Sequence, residues 1–398
     1  MSPGRTLILV ENLSVPFDRR TWQEARTLRR SGFDVVVVCP QGHTYDCEPF
    51  ELRDGIEIHR YALSATTGGG AAGYVREYAT AFWRTATIAR RLSRDRPFDI
   101  VHACNPPDFL LATALPLKAR GTRFIFDHHD LVPELYRARF KNRRNLLYHV
   151  TRVLESLAFR LADAVISTNE SYRRIALSRG RKAPEDVYVV RSAPDLTRFT
   201  RTKPDVELKR GKRFLLAYLG VMGPQDGVDH ALRALGFLSE QRRDWHATFV
   251  GDGDARPAMI RLASELGLAD VDFPGRIPDE ELTRILSTAD VCLAPDPKNP
   301  LNDVSTMNKI IEYMAMGRPI VSYDLVESRV SAADAALYAQ PNNERSFAGA
   351  INQLLDDPAR RAEMGAAGRK RVETELSWER SEQALLAAYE HALVSQRA

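Results

Sequence analysis

The strongest constraint on the fold is an alternation running along most of the chain. A short apolar run that suits a buried strand is followed by an amphipathic helical stretch, then by another apolar run. It begins at Thr6–Val10, continues through the loop Glu11–Arg20, and enters a helix over Thr21–Ser31 with Trp22, Ala25 and Leu28 on one side. Gly32 ends that helix, and Phe33–Cys39, with four consecutive valines, reads as the second strand. Strand, helix and strand in close succession make a βαβ unit, and repeated units build a parallel sheet. The pattern predicts further strands at Gly55–Tyr61, Phe98–Cys104, Arg123–Asp130, Asp163–Thr168 and Val187–Ser192. Between them it predicts helices over Gly73–Ser93, Phe109–Arg120, Glu134–Leu161 and Asn169–Ser178, with Gly68–Gly70 as a flexible loop.

Around Thr197–Gly211 the texture turns polar, basic and non-periodic, which marks a linker over residues 199–212. A second βα series follows, with strands in Phe214–Gly220, His246–Asp254, Val271–Arg276, Asp290–Pro295 and Ala336–Pro341. The tail holds helices over Ser346–Met364 and Trp378–Val394. The fold class is therefore α/β, with two tandem Rossmann-like doubly wound domains at residues 1–198 and 213–377. A last helix, residues 378–398, is expected to cross back to the first domain. Ligands of such sheets sit at the strand C-termini, so an inter-domain cleft is the default site.

Asp303–Asp324 carries the densest local signal. Met307, Ile310, Ile311, Met314 and Ala315 recur as one buried helical stripe, which puts Ser305, Asn308, Lys309 and Glu312 on the opposite face. Asp303, Ser305 and Thr306 suit the helix start, and Gly317 and Pro319 stop it before an apolar strand. A helix N-terminus offers N–H groups and a positive dipole end to a phosphate. Glu312, one turn on, suits the two hydroxyls of a ribose. Taken alone, this reads first as a solvated face of an ordinary helix, and it is the context that turns the reading toward a binding site.

Charge narrows the partners. The net charge of +4 hides an asymmetry: residues 1–200 carry 31 Lys/Arg against 22 Asp/Glu, and residues 201–398 carry 25 against 30. The first half thus favours an anionic partner, either a phosphorylated acceptor or a membrane surface. No zinc-finger spacing or basic-aromatic platform is present, so nucleic acid is not expected. Arg137–Arg160 interleaves seven cations with Leu146, Leu147, Val150, Val153 and Leu154, the pattern of a basic amphipathic helix on an anionic membrane surface. A helix packed on its own sheet fits equally well. The four cysteines form no CxxC pair, the opening apolar run is far too short for a signal peptide, and no stretch approaches the roughly 18 apolar residues of a span. A cytoplasmic protein, at most peripheral on a membrane, is expected.

The C-terminal stretch Val250–Pro295, joined to Asn308–Val321 ("NKIIEYMAMGRPIV"), resembles the GT-B glycosyltransferases of glycosyltransferase family 4. The resemblance covers nearly the whole chain, is strongest over Phe214–Ser322, and is specific in the combination of its pieces. It implies transfer of a sugar from a nucleotide sugar, UDP preferred over GDP, to an acceptor hydroxyl. It further implies retained anomeric configuration, no cofactor and no metal. The donor falls to the C-terminal domain, and the acceptor (a glycan, a lipid-linked molecule or a small molecule) falls mainly to the N-terminal one.

Glu312 matches the ribose-binding second glutamate of the family's E-x7-E motif, while Val304 stands in place of the first, with Asp303 the nearest carboxylate for the donor sugar. The backbone of Ser305, Thr306, Met307 and Asn308 is expected to hold the donor, with Gly220 beside it. The family's Arg and Lys after the domain's first strand are replaced by Val221 and Asp226. Charge develops on a departing diphosphate, so Lys309 is the expected substitute, with Arg19, Arg20 or Arg276 reaching in. His129, before Asp130, matches the family's cleft histidine, with a hydrogen bond to the donor sugar or the incoming hydroxyl. Asn12, Asp130 and Glu134 are placed toward the acceptor, Glu134 equally suiting a helix cap. Asp252 and Asp254 read as a turn, not a metal-binding pair. The rival readings are a secondary-metabolite glycosyltransferase, a GT-B-like epimerase or phosphorylase, and a sugar-nucleotide-binding protein without catalysis. Turnover without an acceptor, phosphate-dependent turnover, or donor binding with no turnover would separate the last three.

Overall fold

The computed structural model describes residues 4–42, 45–63, 70–139 and 144–394, and the chain divides into two units: Met1–Ser192 with Glu379–Ala398, and Ala193–Trp378. The first unit holds strands β1 (Arg5–Leu9), β2 (Asp34–Pro40), β3 (Phe50–Arg53), β4 (Ile56–Tyr61), β5 (Ile100–Cys104), β6 (Arg123–His128), β7 (Ala164–Ser167) and β8 (Val187–Val189). Its helices are α1 (Arg19–Arg30), α2 (Gly70–Asp95), α3 (Leu111–Lys118), α4 (Val132–Arg139), α5 (Leu146–Leu161) and α6 (Glu170–Ser178). The sheet runs β3-β4-β2-β1-β5-β6-β7-β8 and is parallel except for the pair β3–β4. Val35–Val38 of β2 are wholly buried, and α1 and α2 both pack against that strand. β-Branched residues buried on two faces are what a central parallel strand requires.

Two local expectations are corrected here. β3 was not predicted, although Asp54 and Gly55 carry its signal. At φ of 51° and 76° they form the two-residue turn that pairs Arg53 with Ile56 in an antiparallel hairpin. The single helix expected over Glu134–Leu161 is two helices. Asn145 caps α5 by accepting from Tyr148 N at 3.2 Å, and its extended backbone cannot continue a helix. Residues 140–143, with two of the seven cations, lie outside the described residues, as do Gly68 and Gly69 of the expected loop.

The second unit holds strands β9 (Phe214–Leu219), β10 (Trp245–Val250), β11 (Val271–Gly275), β12 (Val291–Ala294), β13 (Ile320–Tyr323) and β14 (Ala336–Ala339). Its helices are α7 (Val228–Ser239), α8 (Arg256–Glu265), α9 (Asp279–Thr288), α10 (Asn308–Ala315), α11 (Val326–Ala332), α12 (Glu344–Asp356) and α13 (Pro358–Thr374). The parallel order is β11-β10-β9-β12-β13-β14. Alternation along β9 divides the core: Phe214, Leu216 and Tyr218 join the cluster of α7 and α12, while Leu215 and Ala217 join that of α9 and α10. The polar stretch before β9 is fastened by buried Phe199, by Leu208 packed on the same cluster, and by hydrogen bonds. Thr202 N donates to Ser287 Oγ, Asp205 N to Thr288 Oγ1, and Arg201 Nε to Met316 O, at 2.8–3.0 Å. The last helix, α14 (Trp378–Val394), packs in the first unit, where Tyr389 Oη lies 2.8 Å from His102 Nδ1. No helix among the described residues is long and apolar enough to cross a membrane.

Strand order reverses between β1 and β5 in the first sheet and between β9 and β12 in the second. The crevice beyond the strand C-termini opens at such switch points. Beside the second one, a Cβ added to Gly251 (φ 132°) would stand 1.9 Å from the Gly220 carbonyl oxygen, so the loops leaving β9 and β10 meet backbone to backbone. Gly251→Ala should therefore cost at least about 2 kcal/mol, a fall of roughly 4–8 °C in Tm, measured by thermal melting. An unchanged Tm would show that this contact can relax freely.

Candidate active site

In the second unit the chain leaves β12, makes a 3-10 turn over Asn302–Val304, and runs extended into α10. The helix begins later than expected. Its N-cap is Met307, with no side-chain cap, so Asp303, Ser305 and Thr306 do not cap it. Asp303 instead accepts from Val326 N at 3.0 Å, at the start of α11, and pairs with Lys298 at 3.4 Å. Ser305 Oγ donates to Leu301 O at 2.7 Å. The first bond inside the helix runs from Ile310 N to Met307 O, so the N–H groups of Met307, Asn308 and Lys309 have no carbonyl of the helix to reach.

The polar face drawn from helical spacing is also corrected. Lys309 is buried, with its Nζ 2.6 Å from Asp296 and 5.1 Å from the centre of the Tyr218 ring. Its charge ties α10 to the end of β12 and is not a free cation. Gly220 is open to this group, since a Cβ there would lie 3.1 Å from Lys309 Cε. Glu312 is half-buried, one turn into the helix. Its closest charged group is Arg198, 3.9 Å away, which is itself held in a two-bond pair by Asp279 at 2.5 and 2.6 Å. Burial pushes the Glu312 carboxyl up to about 7 against the pull of Arg198 and Lys309. Val221 is exposed, and Asp226 Oδ2 accepts from Gly223 N at 2.8 Å, which closes the loop after β9, while its charge also acts on Lys309. Arg276 follows β11, two strands away from β9. Asp252 Oδ1 accepts from Gly253 N, which closes the turn after β10.

In the first unit the residues after β6 are organised by a carboxylate that the sequence reading passed over. Asp127 is buried and accepts from Arg20 Nη2 at 3.1 Å and Nε at 3.3 Å, and its Oδ2 lies 3.1 Å from His129 Nδ1. Arg20 also pairs with buried Glu24 at 3.1 Å and donates to Val190 O at 2.8 Å, so it is a structural cation and not a phosphate ligand. Asn105 Oδ1 accepts from both His129 N and Asp130 N at 2.9 Å, which fixes the turn. With Nδ1 held by Asp127, His129 directs Nε2 away from it. Burial pulls the His129 pKa down, but the Asp127 charge outweighs this and lifts it to about 9. His128, by contrast, sits in the core against the Phe126, Phe159 and Tyr172 rings. Glu134 is neither a cap nor open to an acceptor: Arg179 grips it at 2.6 Å and Glu155 at 2.9 Å. Asn12 and Arg19 are exposed beyond β1. Glu24, His102, Cys104 and Asp127 bring one potential ligand atom each within 4.8 Å of the others. Arg20 and His129 already supply positive charge there, so no metal step is derived from this cluster.

Two family models match the two halves of the chain: "Glycosyl transferase 4-like domain" over residues 18–192 and "Glycosyl transferases group 1" over residues 213–357. The chain is a GT-B glycosyltransferase of the family 4 type. A 2-deoxystreptamine glucosyltransferase from Streptomyces kanamyceticus is 25% identical over 330 residues, 79% of this chain and 84% of that one. Sucrose-phosphate synthase from Thermosynechococcus elongatus superposes with a TM-score of 0.81 at 17% identity, over 98% of this chain and 99% of that one. HepE from Anabaena, in complex with UDP-glucose, gives 0.71 at 15% identity, over 97% and 99%.

Sequence reasoning about this glycosyltransferase missed Asp127, Arg198 and Asp296. Asp127 stands two residues before His129, on the same side of an extended strand end, and that spacing was a usable signal. Arg198 and Asp296 come from separate segments and left none.

His129 has a pKa of about 9 in the folded enzyme against 6.5 in the unfolded chain. Its pairing therefore stabilises fully below pH 6.5 and fades as the pH rises toward 9. In denaturant titrations the wild type should lose up to about 3 kcal/mol across that window that His129→Gln does not lose. Parallel pH profiles for the two proteins would rule the ion pair out.

Proposed function

We propose that this glycosyltransferase moves a sugar from a nucleotide sugar, UDP-linked in preference to GDP-linked, to an acceptor hydroxyl, with retention of anomeric configuration and without a metal ion or cofactor. The observation that carries this reading is the start of α10, where a row of N–H groups stands one turn before the half-buried carboxylate of Glu312, beside the switch point at β9 and β12. The N–H groups suit a diphosphate and the carboxylate suits a ribose diol. UDP-glucose in the structurally similar HepE supports the choice of UDP.

In this reading the bond from the anomeric carbon to the diphosphate oxygen breaks as the acceptor oxygen bonds to that carbon from the same face, and the hydroxyl proton passes to the departing diphosphate oxygen. The leaving diphosphate is stabilised by the α10 amides, held in place by the Lys309–Asp296 pair. His129, held by Asp127, donates a hydrogen bond through Nε2 to the donor sugar, and Asn12 and Asp130 lie toward the acceptor. The acceptor is a growing surface glycan or glycoconjugate. The excess of cations in the first 200 residues suits an acceptor that is phosphorylated or carried on an anionic membrane.

Screening by thermal shift against UDP-glucose, UDP-galactose, UDP-N-acetylglucosamine and GDP-mannose tests the reading, since a donor at about 100 times its Kd adds about 2.7 kcal/mol of stability. A UDP-sugar should raise Tm, and Glu312→Ala should erase that rise and lower kcat/KM at least about 100-fold. No shift with any donor, or near-normal kinetics for the variant, would overturn it.

A further inference from the structure

We infer that α5 is the surface by which the first unit rests on an anionic lipid bilayer, and that the acceptor hydroxyl is presented from that bilayer. The second clause rests on the glycosyltransferase reading and names its acceptor class; the first stands on α5 alone.

Among the described residues, Leu146, Leu147, Val150, Val153 and Leu157 are exposed, Leu146 by 80% and Val153 by 57%. At about 100° per residue, Leu146, Val150, Val153 and Leu157 fall within an arc of roughly 60°, bordered by Leu147, Leu154 and Leu161. The opposite arc, with Tyr148, Glu155 and Phe159, is the buried one. An isolated surface leucine needs no explanation, but a continuous apolar stripe on a helix with a buried reverse face marks a contact surface.

The charges beside the stripe choose the occupant. Arg160 is exposed next to it and Arg144 is exposed just before the helix, while Arg152 lies toward the buried arc, where its Nη1 donates to Tyr148 Oη at 3.3 Å. The one carboxylate between residues 144 and 161, Glu155, is buried and neutralised by Arg179 at 2.9 Å. An apolar stripe edged by cations, with no exposed anion, complements the interface of a bilayer containing acidic lipids. Its place in the fold sets the geometry. The C-terminus of α5 leads directly into β7, so the helix runs against the strands and its N-terminal end, with Leu146 and Leu147, lies at the strand C-termini. His129 follows β6 at that same end. A bilayer touching the start of α5 thus brings lipid-borne hydroxyls to the end of the sheet that carries His129.

The test uses the full-length protein in flotation with vesicles of neutral phosphatidylcholine and of phosphatidylcholine with one quarter phosphatidylglycerol. Wild type should partition at least about tenfold more strongly into the anionic vesicles, with the preference weakening in 0.5 M salt. Leu146→Glu/Val150→Glu/Val153→Glu should lose at least tenfold of this binding while keeping its Tm and its thermal shift with UDP-sugars. Arg144→Glu/Arg160→Glu should lose the preference for anionic vesicles. Wild type that stays unbound, or a triple variant that floats like wild type, would overturn the proposal. So would a concentration-dependent dimer that the triple variant abolishes without any vesicle binding by wild type, since the stripe would then belong to a second copy. Loss of the donor shift in wild type with flotation intact would instead remove the glycosyltransferase reading and leave the docking surface standing.

Discussion

The ammonium of Lys309 and the carboxylate of Asp296 lie 2.6 Å apart, both buried, and the second unit's site depends on that pair. One partner sits in the first turn of α10 and the other just past the end of β12. The contact sets where the helix starts, and so where its N–H groups point and where Glu312 stands one turn later. Two charges withdrawn from water bind strongly only in each other's presence, and removing one leaves the other uncompensated at a cost of about 3–5 kcal/mol. Such a pair suits the fixing of a geometry better than the gripping of a ligand that must come and go.

The first unit uses charge in a similar way. Asp127 lies between Arg20 and His129, and Arg20 in turn holds Glu24, so the buried signs alternate along the group. The arrangement sets the side of the imidazole that remains for a substrate and keeps that ring cationic through neutral pH. Glu312 is pushed the other way: burial outweighs the pull of Arg198, 3.9 Å away and itself held by Asp279, and lifts the carboxyl to about 7. At one residue the close partner outweighs burial, and at the other burial outweighs a more distant, already paired cation.

Much of this was legible along the chain. Runs such as Val35–Val38 read as parallel strands because both faces are buried and the residues are β-branched. The stripe Ile310, Ile311, Met314 and Ala315 read as a helix because it recurs at 3.6. The site was legible only in part. Asp303 was assigned to the donor sugar as the carboxylate nearest Val304, the place of the motif's first glutamate, yet it bonds the start of α11, 23 positions on. Arg20 was placed toward the diphosphate and Glu134 toward the acceptor or a helix cap, and each is instead paired with a residue more than forty positions away, Arg20 with buried Asp127 and Glu134 with half-buried Arg179. Charge reads the same in sequence whether it faces water or a buried carboxylate.

By itself, the sequence determined the two doubly wound sheets, the family and the helix that carries Glu312. The sheets and the helix follow from periodicity and local propensity, which act over a few residues, and the family from the resemblance carried by Val250–Pro295 and Asn308–Val321. Only the tertiary structure decided which charges are spent within the protein, which histidine of the pair after β6 is buried, and which face of α5 is left apolar in the open. Those outcomes depend on what burial places beside each side chain, and desolvation and pairing act between segments that the order of residues does not bring together.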